Sequence, residues 1–175
     1  KELYETAPEN IDNYFKDNYD LLLSELKSAN VPTVDFAQTI NENKSSFQTF
    51  YNTDHHWTTK SGFTINNVLL EELHNRYKFE YDQELSNLSN YNVDNYEKWF
   101  LGSKGKKAGT YFSWNGIDDF DLITPKFETN LTEEQPFKNQ IRTGDFRDTV
   151  LFMENMKKDY YKINTYATFS GGDFR

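Results

Sequence analysis

The sequence contains no cysteine, which excludes disulfides, thiolate zinc sites and a cysteine nucleophile together. That absence is common in exported proteins of bacteria that do not rely on disulfides, and by itself it leaves the compartment open. Basic residues are the minority: 19 Lys and Arg stand against 28 Asp and Glu, for a formal charge of -9. The densest basic group is Lys104, Lys106 and Lys107. No phosphate-tracking stripe can be built from so few cations, so nucleic acid is excluded as a partner. No run approaches the ~20 apolar residues that a membrane-spanning helix needs. Proline is scarce, at 4 in 175 residues, and no Pro- or Ser-rich linker divides the chain. A chain of this length makes one domain with a real core, so residues 1–175 are read as a single unit. It begins on Lys1 and reaches Arg175 just after Gly171-Gly172, which predicts an excerpt of a longer protein.

Aromatic residues are abundant, at 17% of the chain with 15 Phe, 12 Tyr and 3 Trp, whereas total hydrophobic content is only 36%. Either they build the core in place of scarcer aliphatic residues, or some Tyr and Trp form a sugar-stacking surface, which suits rings with an apolar face and a polar tip.

Periodicity predicts a helix over 9–29, where Ile11, Phe15, Tyr19, Leu22 and Leu26 recur at spacings of four and three after a capping Asn10. Short strands are expected at 31–36 and 47–51, with a loop at 41–46 between them. A second helix follows, capped by Thr58 or Thr59, striped by Ile65, Val68, Leu69 and Leu73, and ending near Tyr77. Residues 80–95 read as a polar surface excursion with one short helix. Residues 96–127 read as strands and hairpins, with Asn115-Gly116 as a hairpin dipeptide. Residues 126–147 read as loops, 148–156 as strand or helix, and 163–169 as a strand.

Two of the three histidines lie in Asp54-His55-His56-Trp57, between a strand candidate and a helix start. In extended backbone residues i and i+2 face the same way, so Asp54 and His56 are expected together and His55 elsewhere. A carboxylate beside an imidazole fixes its tautomer and stabilises the imidazolium formed when the ring takes a proton, which is the orienter and base of an acyl-transfer triad. The bland reading is a turn-capping Asp54 and a satisfied buried His56. A metal site of Asp54, His55, His56 and His74 is set aside, because adjacent histidines on a strand diverge and His74 lies a helix away. Gly102 to Gly109, with its three lysines, lacks phosphate-loop spacing and is read as a solvated turn rather than an anion cradle. Asp118-Asp119 is read as a turn rather than a glycosidase pair.

The run Asn52-Thr53-Asp54-His55-His56-Trp57-Thr58 with Gly62 after it resembles the signature of the DHHW family and is similar to the Thr-Asp-X-His-Trp motif of alginate-type polysaccharide O-acetyltransferases. Further resembling blocks are Trp99 to Ser103, Gly105 to Gly109, Asp118-Asp119-Phe120 and Pro125 to Thr129. The resemblance implies an α/β, SGNH-hydrolase-like fold: a partly parallel sheet flanked by helices, with a strand and loop insertion at about 80–150, incomplete at the C-terminal side. It also implies that Asp54 and His56 are triad members and that the protein is extracellular or in the cell envelope; no cofactor and no metal is expected. Its expected partners are a polysaccharide substrate and a membrane-bound acetyl donor protein, with a homodimer formed through an exposed sheet edge. In such relatives the serine follows an acidic residue near the C-terminus, and this chain has no Asp-Ser dipeptide. The nucleophile is therefore expected beyond Arg175, leaving the fragment inactive, with Ser103, Ser113 and Ser170 read as turn residues. The rival expectation is a non-catalytic carbohydrate-binding or envelope-interaction protein.

Overall fold

A computed structural model describes residues 14–109, 116–135 and 140–159. Helix α1, Phe15–Ser28, carries the expected stripe: Phe15, Tyr19, Leu22 and Leu26 line an apolar groove with Val34, Phe36, Ile40 and Phe50. None of its residues is fully buried. The start of this helix, with Asn10 and Ile11, falls outside the described residues. A short helix α2, Ala37–Asn43, follows the segment expected as a strand and takes in the first residues of the expected loop at 41–46. Asp35 initiates it, accepting a hydrogen bond from Ala37 N at 2.8 Å, an Asx-type start that polar composition conceals.

Helix α3, Thr59–Tyr77, matches its expectation at both ends. Thr58 is its N-cap, accepting from Ser61 N at 3.3 Å, and Lys78 closes it in the left-handed conformation. Strand β1, Tyr91–Phe100, runs antiparallel to β2, Asp118–Pro125, with Tyr91 opposite Pro125 and Tyr96 opposite Phe120 before the register shifts towards Phe100. Lys98 has φ 47° within that irregularity. The short helix α4, Ser103–Ala108, lies between these strands in sequence. Strands β3, Leu131–Gln135, and β4, Gln140–Gly144, form a second antiparallel pair, followed by a single turn of helix, α5, Phe146–Thr149.

The molecule is mixed α/β. Among the described residues, however, both sheets are two-stranded and antiparallel, so the expected partly parallel sheet is not formed by them. A parallel pair needs two strands joined by a crossover, and the two early candidates are not ladder strands: 31–36 precedes and enters α2, while 47–51 makes only the isolated bridge Phe50 to Trp57. Residues 131–135 and 140–144, read as loops, are strands; a polar, solvent-facing pair shows little hydrophobic alternation in its sequence. The expected strand at 163–169, the hairpin at Asn115-Gly116, Ser113 and Ser170 involve residues outside the described set.

The core is largely aromatic. Tyr51, Phe100, Phe120, Leu122, Leu151 and Met156 are buried together, with Tyr96, Trp99, Phe146 and Met153 packed around them. Tyr51 stacks on Phe100 with ring centroids 4.0 Å apart at 29°. Along β2, Asp118, Phe120, Leu122 and Thr124 alternate inward, the period-2 pattern of a half-buried strand. Phe120 and Leu122 feed the packing; Thr124 accepts from Arg147, and Asp118 has another use. Leu122 is wholly buried, so Leu122→Ala should cost about 2–5 kcal/mol, whereas Leu21→Ala on the exposed face of α1 should stay within about 0.5 kcal/mol. Denaturant unfolding of the two variants measures the difference.

Candidate functional site

The Asp-His-His segment sits at the tip of a tight excursion. Residues 49–51 and 56–58 close on each other: Thr58 N donates to Thr49 O at 3.0 Å and Tyr51 N donates to His56 O at 3.2 Å. The hydroxyl of Thr58 donates to Gln48 O at 2.8 Å, and that of Ser61 to Thr49 O at 2.8 Å. The start of α3 is tied in turn to β2, through Thr59 Oγ1 to Asp121 O at 2.7 Å and Lys60 to Asp121 at 2.9 Å. Between these clamps residues 52–56 bend continuously.

That bend changes the expected side-chain directions. Asp54 and His56 do come together, with His56 Nδ1 3.1 Å from Asp54 Oδ1. His55 does not point elsewhere: its Nδ1 lies 2.8 Å from the same oxygen, and the two imidazole centroids are 3.8 Å apart. The alternation argument holds for extended backbone, and this backbone is not extended. His74 is separate, as expected, with its Nδ1 3.0 Å from Phe79 O.

The carboxylate of Asp54 is buried, its side chain 5% exposed, whereas the rings of His55 and His56 are 61% and 43% exposed. An inaccessible acid beneath an accessible imidazole suits an orienter and a base. Burial alone would push the Asp54 carboxyl up. Hydrogen bonds from His55 N–H, the His56 ring and Ser103 N–H, with the charge of His56, outweigh burial and hold it below its usual value.

Ser103 lies at this site, exposed and at the start of a helix rather than in a turn. It opens α4, its N–H donates to Asp54 Oδ2 at 3.3 Å and its hydroxyl to Asp54 Oδ1 at 3.3 Å. The hydroxyl thus bonds the acid of the pair. The glycine-containing segment does receive an anion, and that anion is the protein's own Asp54. Close approach is why residue 102 is glycine: a Cβ there would stand 2.4 Å from Asp54 Cβ and 2.6 Å from its Oδ2. Gly102 N also donates to Thr53 Oγ1 at 2.9 Å, and Gly105 N to Thr53 O at 2.9 Å.

Asp118, read from sequence as a turn residue, is the buried anchor of the excursion. Its Oδ1 accepts from Gln48 Nε2 at 2.9 Å and from both the N–H and the side-chain amide of Asn52 at 3.0 Å. Its Oδ2 accepts from Thr53 N at 2.8 Å and Thr53 Oγ1 at 2.6 Å. The available signal was the inward position of Asp118 on β2's alternation. Asp119 faces outward, accepting from Lys98 N at 2.8 Å.

A family model described as "SGNH hydrolase-like domain, acetyltransferase AlgX" matches residues 3–92, a segment that holds Asp54 and His56. The chain belongs to this family. The SGNH-like fold expected from sequence is therefore the fold it has, with Ser103 and Asp118 lying after the part matched to AlgX. The structure of Bacillus cereus PatB1 is similar, with a TM-score of 0.61 at 15% identity, over 93% of this chain and 52% of that one. The chain thus spans about half the length of that solved relative. No curated protein matches it significantly.

Replacing Asp118 by Asn keeps one acceptor oxygen but turns an amide towards Thr53 N–H; unfolding in denaturant should show a loss of about 2–4 kcal/mol. Because the carboxyl of Asp54 is lowered from 3.8 in the folded chain, its ionised form contributes stability above the unfolded value that is lost as pH falls through the folded one. The stability difference between the wild type and Asp54→Asn should shrink below about pH 4; a difference that grew as pH fell from about 4 to about 2 would contradict the shift.

Proposed function

We propose that this chain contributes the general base and its orienting acid to an acyl-transfer centre that acts on O-acetyl groups of a cell-surface polysaccharide. The observation that carries this reading is the 3.1 Å contact from His56 Nδ1 to a buried Asp54 carboxylate beneath an exposed ring. Membership of the AlgX family and the resemblance to DHHW proteins support the reaction class.

In the proposed step Asp54 holds the proton on His56 Nδ1, so the lone pair sits on Nε2. As a serine Oγ attacks the acetyl carbonyl, its proton passes to Nε2 and the imidazolium is stabilised by Asp54. The tetrahedral oxyanion collapses, expelling the alkoxide of the donor, which takes the proton back from Nε2. The acetyl-serine is then cleaved by a sugar hydroxyl, giving transfer, or by water, giving hydrolysis. The proposal takes the serine from sequence following Arg175 and assigns Ser103 to orienting the acid. It places the reaction outside the cell or in its envelope, with a membrane-bound acetyl donor protein as partner, and it includes homodimerisation through a free strand edge.

Trp57 favours a sugar-facing surface in both this reading and the alternative of a non-catalytic glycan-binding protein. It follows His56 directly, lies against Gly62 with its Nε1 3.3 Å from where a Cβ would be, and is 52% exposed. An indole held on one side and open on the other can stack on the apolar face of a sugar ring.

Release of acetate from 4-nitrophenyl acetate and from an acetylated polysaccharide separates the two readings. Residues 1–175 should show no turnover, and the chain continued past Arg175 should turn over and lose about 10²–10⁴-fold with His56→Ala. Turnover by residues 1–175 that vanished with Ser103→Ala would refute the assignment of the serine, and glycan binding without hydrolysis in the longer chain would favour the non-catalytic alternative.

A further inference from the structure

We propose that Asp54, His55 and His56 form a binding site for a borderline divalent transition metal, of which zinc is the type, and that its occupation excludes the catalytic arrangement of His56. The ligand atoms of these three residues lie within 4.8 Å of one another. Both Nδ1 atoms face one carboxylate oxygen, at 2.8 Å for His55 and 3.1 Å for His56. In a tetrahedral zinc site with bonds of about 2.0–2.1 Å, neighbouring ligand atoms stand about 3.3 Å apart. Accommodating an ion therefore requires each imidazole to withdraw only slightly from the carboxylate.

The donor set decides the kind of ion. Two imidazoles and one carboxylate suit zinc, copper or nickel, whereas magnesium and calcium require more oxygen ligands. The carboxylate is already oriented, as in built metal sites, by backbone N–H groups of His55 at 2.7 Å and Ser103 at 3.3 Å. His55 also acquires a purpose: the acid and base of a triad do not need it, yet the bend of residues 52–56 brings its ring onto their carboxylate.

Exclusion follows from the nitrogen used. When His56 acts as base, its Nδ1 carries the hydrogen donated to Asp54 and Nε2 carries the lone pair. An ion at Nδ1 takes that lone pair instead, and in the neutral ring the hydrogen then resides on Nε2. Nε2 can no longer accept a proton from a hydroxyl, and Asp54 becomes a metal ligand. The metal is thus an inhibitor of this centre and not a participant in its reaction. Binding stands independently of the proposed function; inhibition rests on it.

The test titrates zinc chloride into the 175-residue chain, followed by calorimetry and by histidine ¹⁵N NMR. One ion per chain should bind, with His55 and His56 shifting to the Nδ1-coordinated, Nε2-protonated form. His55→Ala should weaken binding at least about tenfold, and His74→Ala should leave it unchanged, with circular dichroism confirming that both variants fold. Absence of binding, binding indifferent to His55, or binding lost with His74 would overturn the site. In the chain extended past Arg175, zinc should suppress acetyl-ester turnover and EDTA should restore it. Turnover unaffected by bound zinc would overturn the exclusion while leaving the site, whereas a zinc-free chain without turnover would count against the catalytic reading alone.

Discussion

Asp118 holds a buried carboxylate that does not lie within the motif it serves. Burying an anion costs several kcal/mol unless its lone pairs are met, and here five donors meet them, all from residues 48–53. The donors include two consecutive backbone N–H groups, of Asn52 and Thr53, which in a bent segment have no ladder partner. Each side solves the problem of the other: the excursion satisfies the buried charge, and the charge satisfies a backbone that bends too sharply to pair with itself. The position of Asp54 and both histidines depends on this exchange, because they begin one residue after its last donor.

Thr53 relays the constraint. Its hydroxyl donates to Asp118 and accepts from Gly102 N, and its carbonyl accepts from Gly105 N, so β2 and the start of α4 grip one residue from two sides. Chain separated by 49 to 65 residues is brought to Thr53 and Asp54 this way. The cost is steric. Backbone this close leaves no room for a side chain at 102 or at 105, where a Cβ would be 2.5 Å from Leu101 Cδ1 and 2.8 Å from Thr53 Cβ. The two glycines are therefore better understood as the room needed for Asp54 and Thr53 than as flexible points of a loop.

Helix α3 and the Asp54 to His56 pairing were legible in the sequence because their signals are local: a capping threonine, a stripe at helical spacing, and an acid two residues from a base. Asp118 and Ser103 were not, since each acts across long sequence separation and its local context, an acidic pair or a serine beside a glycine, is also that of an ordinary turn. The inward direction of Asp118 could have been inferred from the alternation through Phe120, Leu122 and Thr124, had the strand been known to be buried on one face. β3 and β4 were missed for a different reason: a hairpin that lies mostly in solvent carries little hydrophobic alternation. The expected direction of His55 failed because i and i+2 alternation was applied to a segment whose hydrogen bonds, to Asp118 and between Tyr51 and His56, force it to bend.

That same bend gives the site its ambiguity. An extended Asp-His-His would pair the acid with one imidazole and leave the other on the opposite face. Bent, it gives Asp54 Oδ1 two imidazoles in addition to the His55 N–H, on a carboxylate whose other oxygen is held by Ser103 N–H. A carboxylate so anchored cannot turn to favour one ring; selection between them must come from what the rings themselves bind. A proton on His56 Nδ1 would favour the acid and base pair, and a divalent ion would favour both Nδ1 atoms at once, so the contact that makes His56 a candidate base also makes it a candidate ligand.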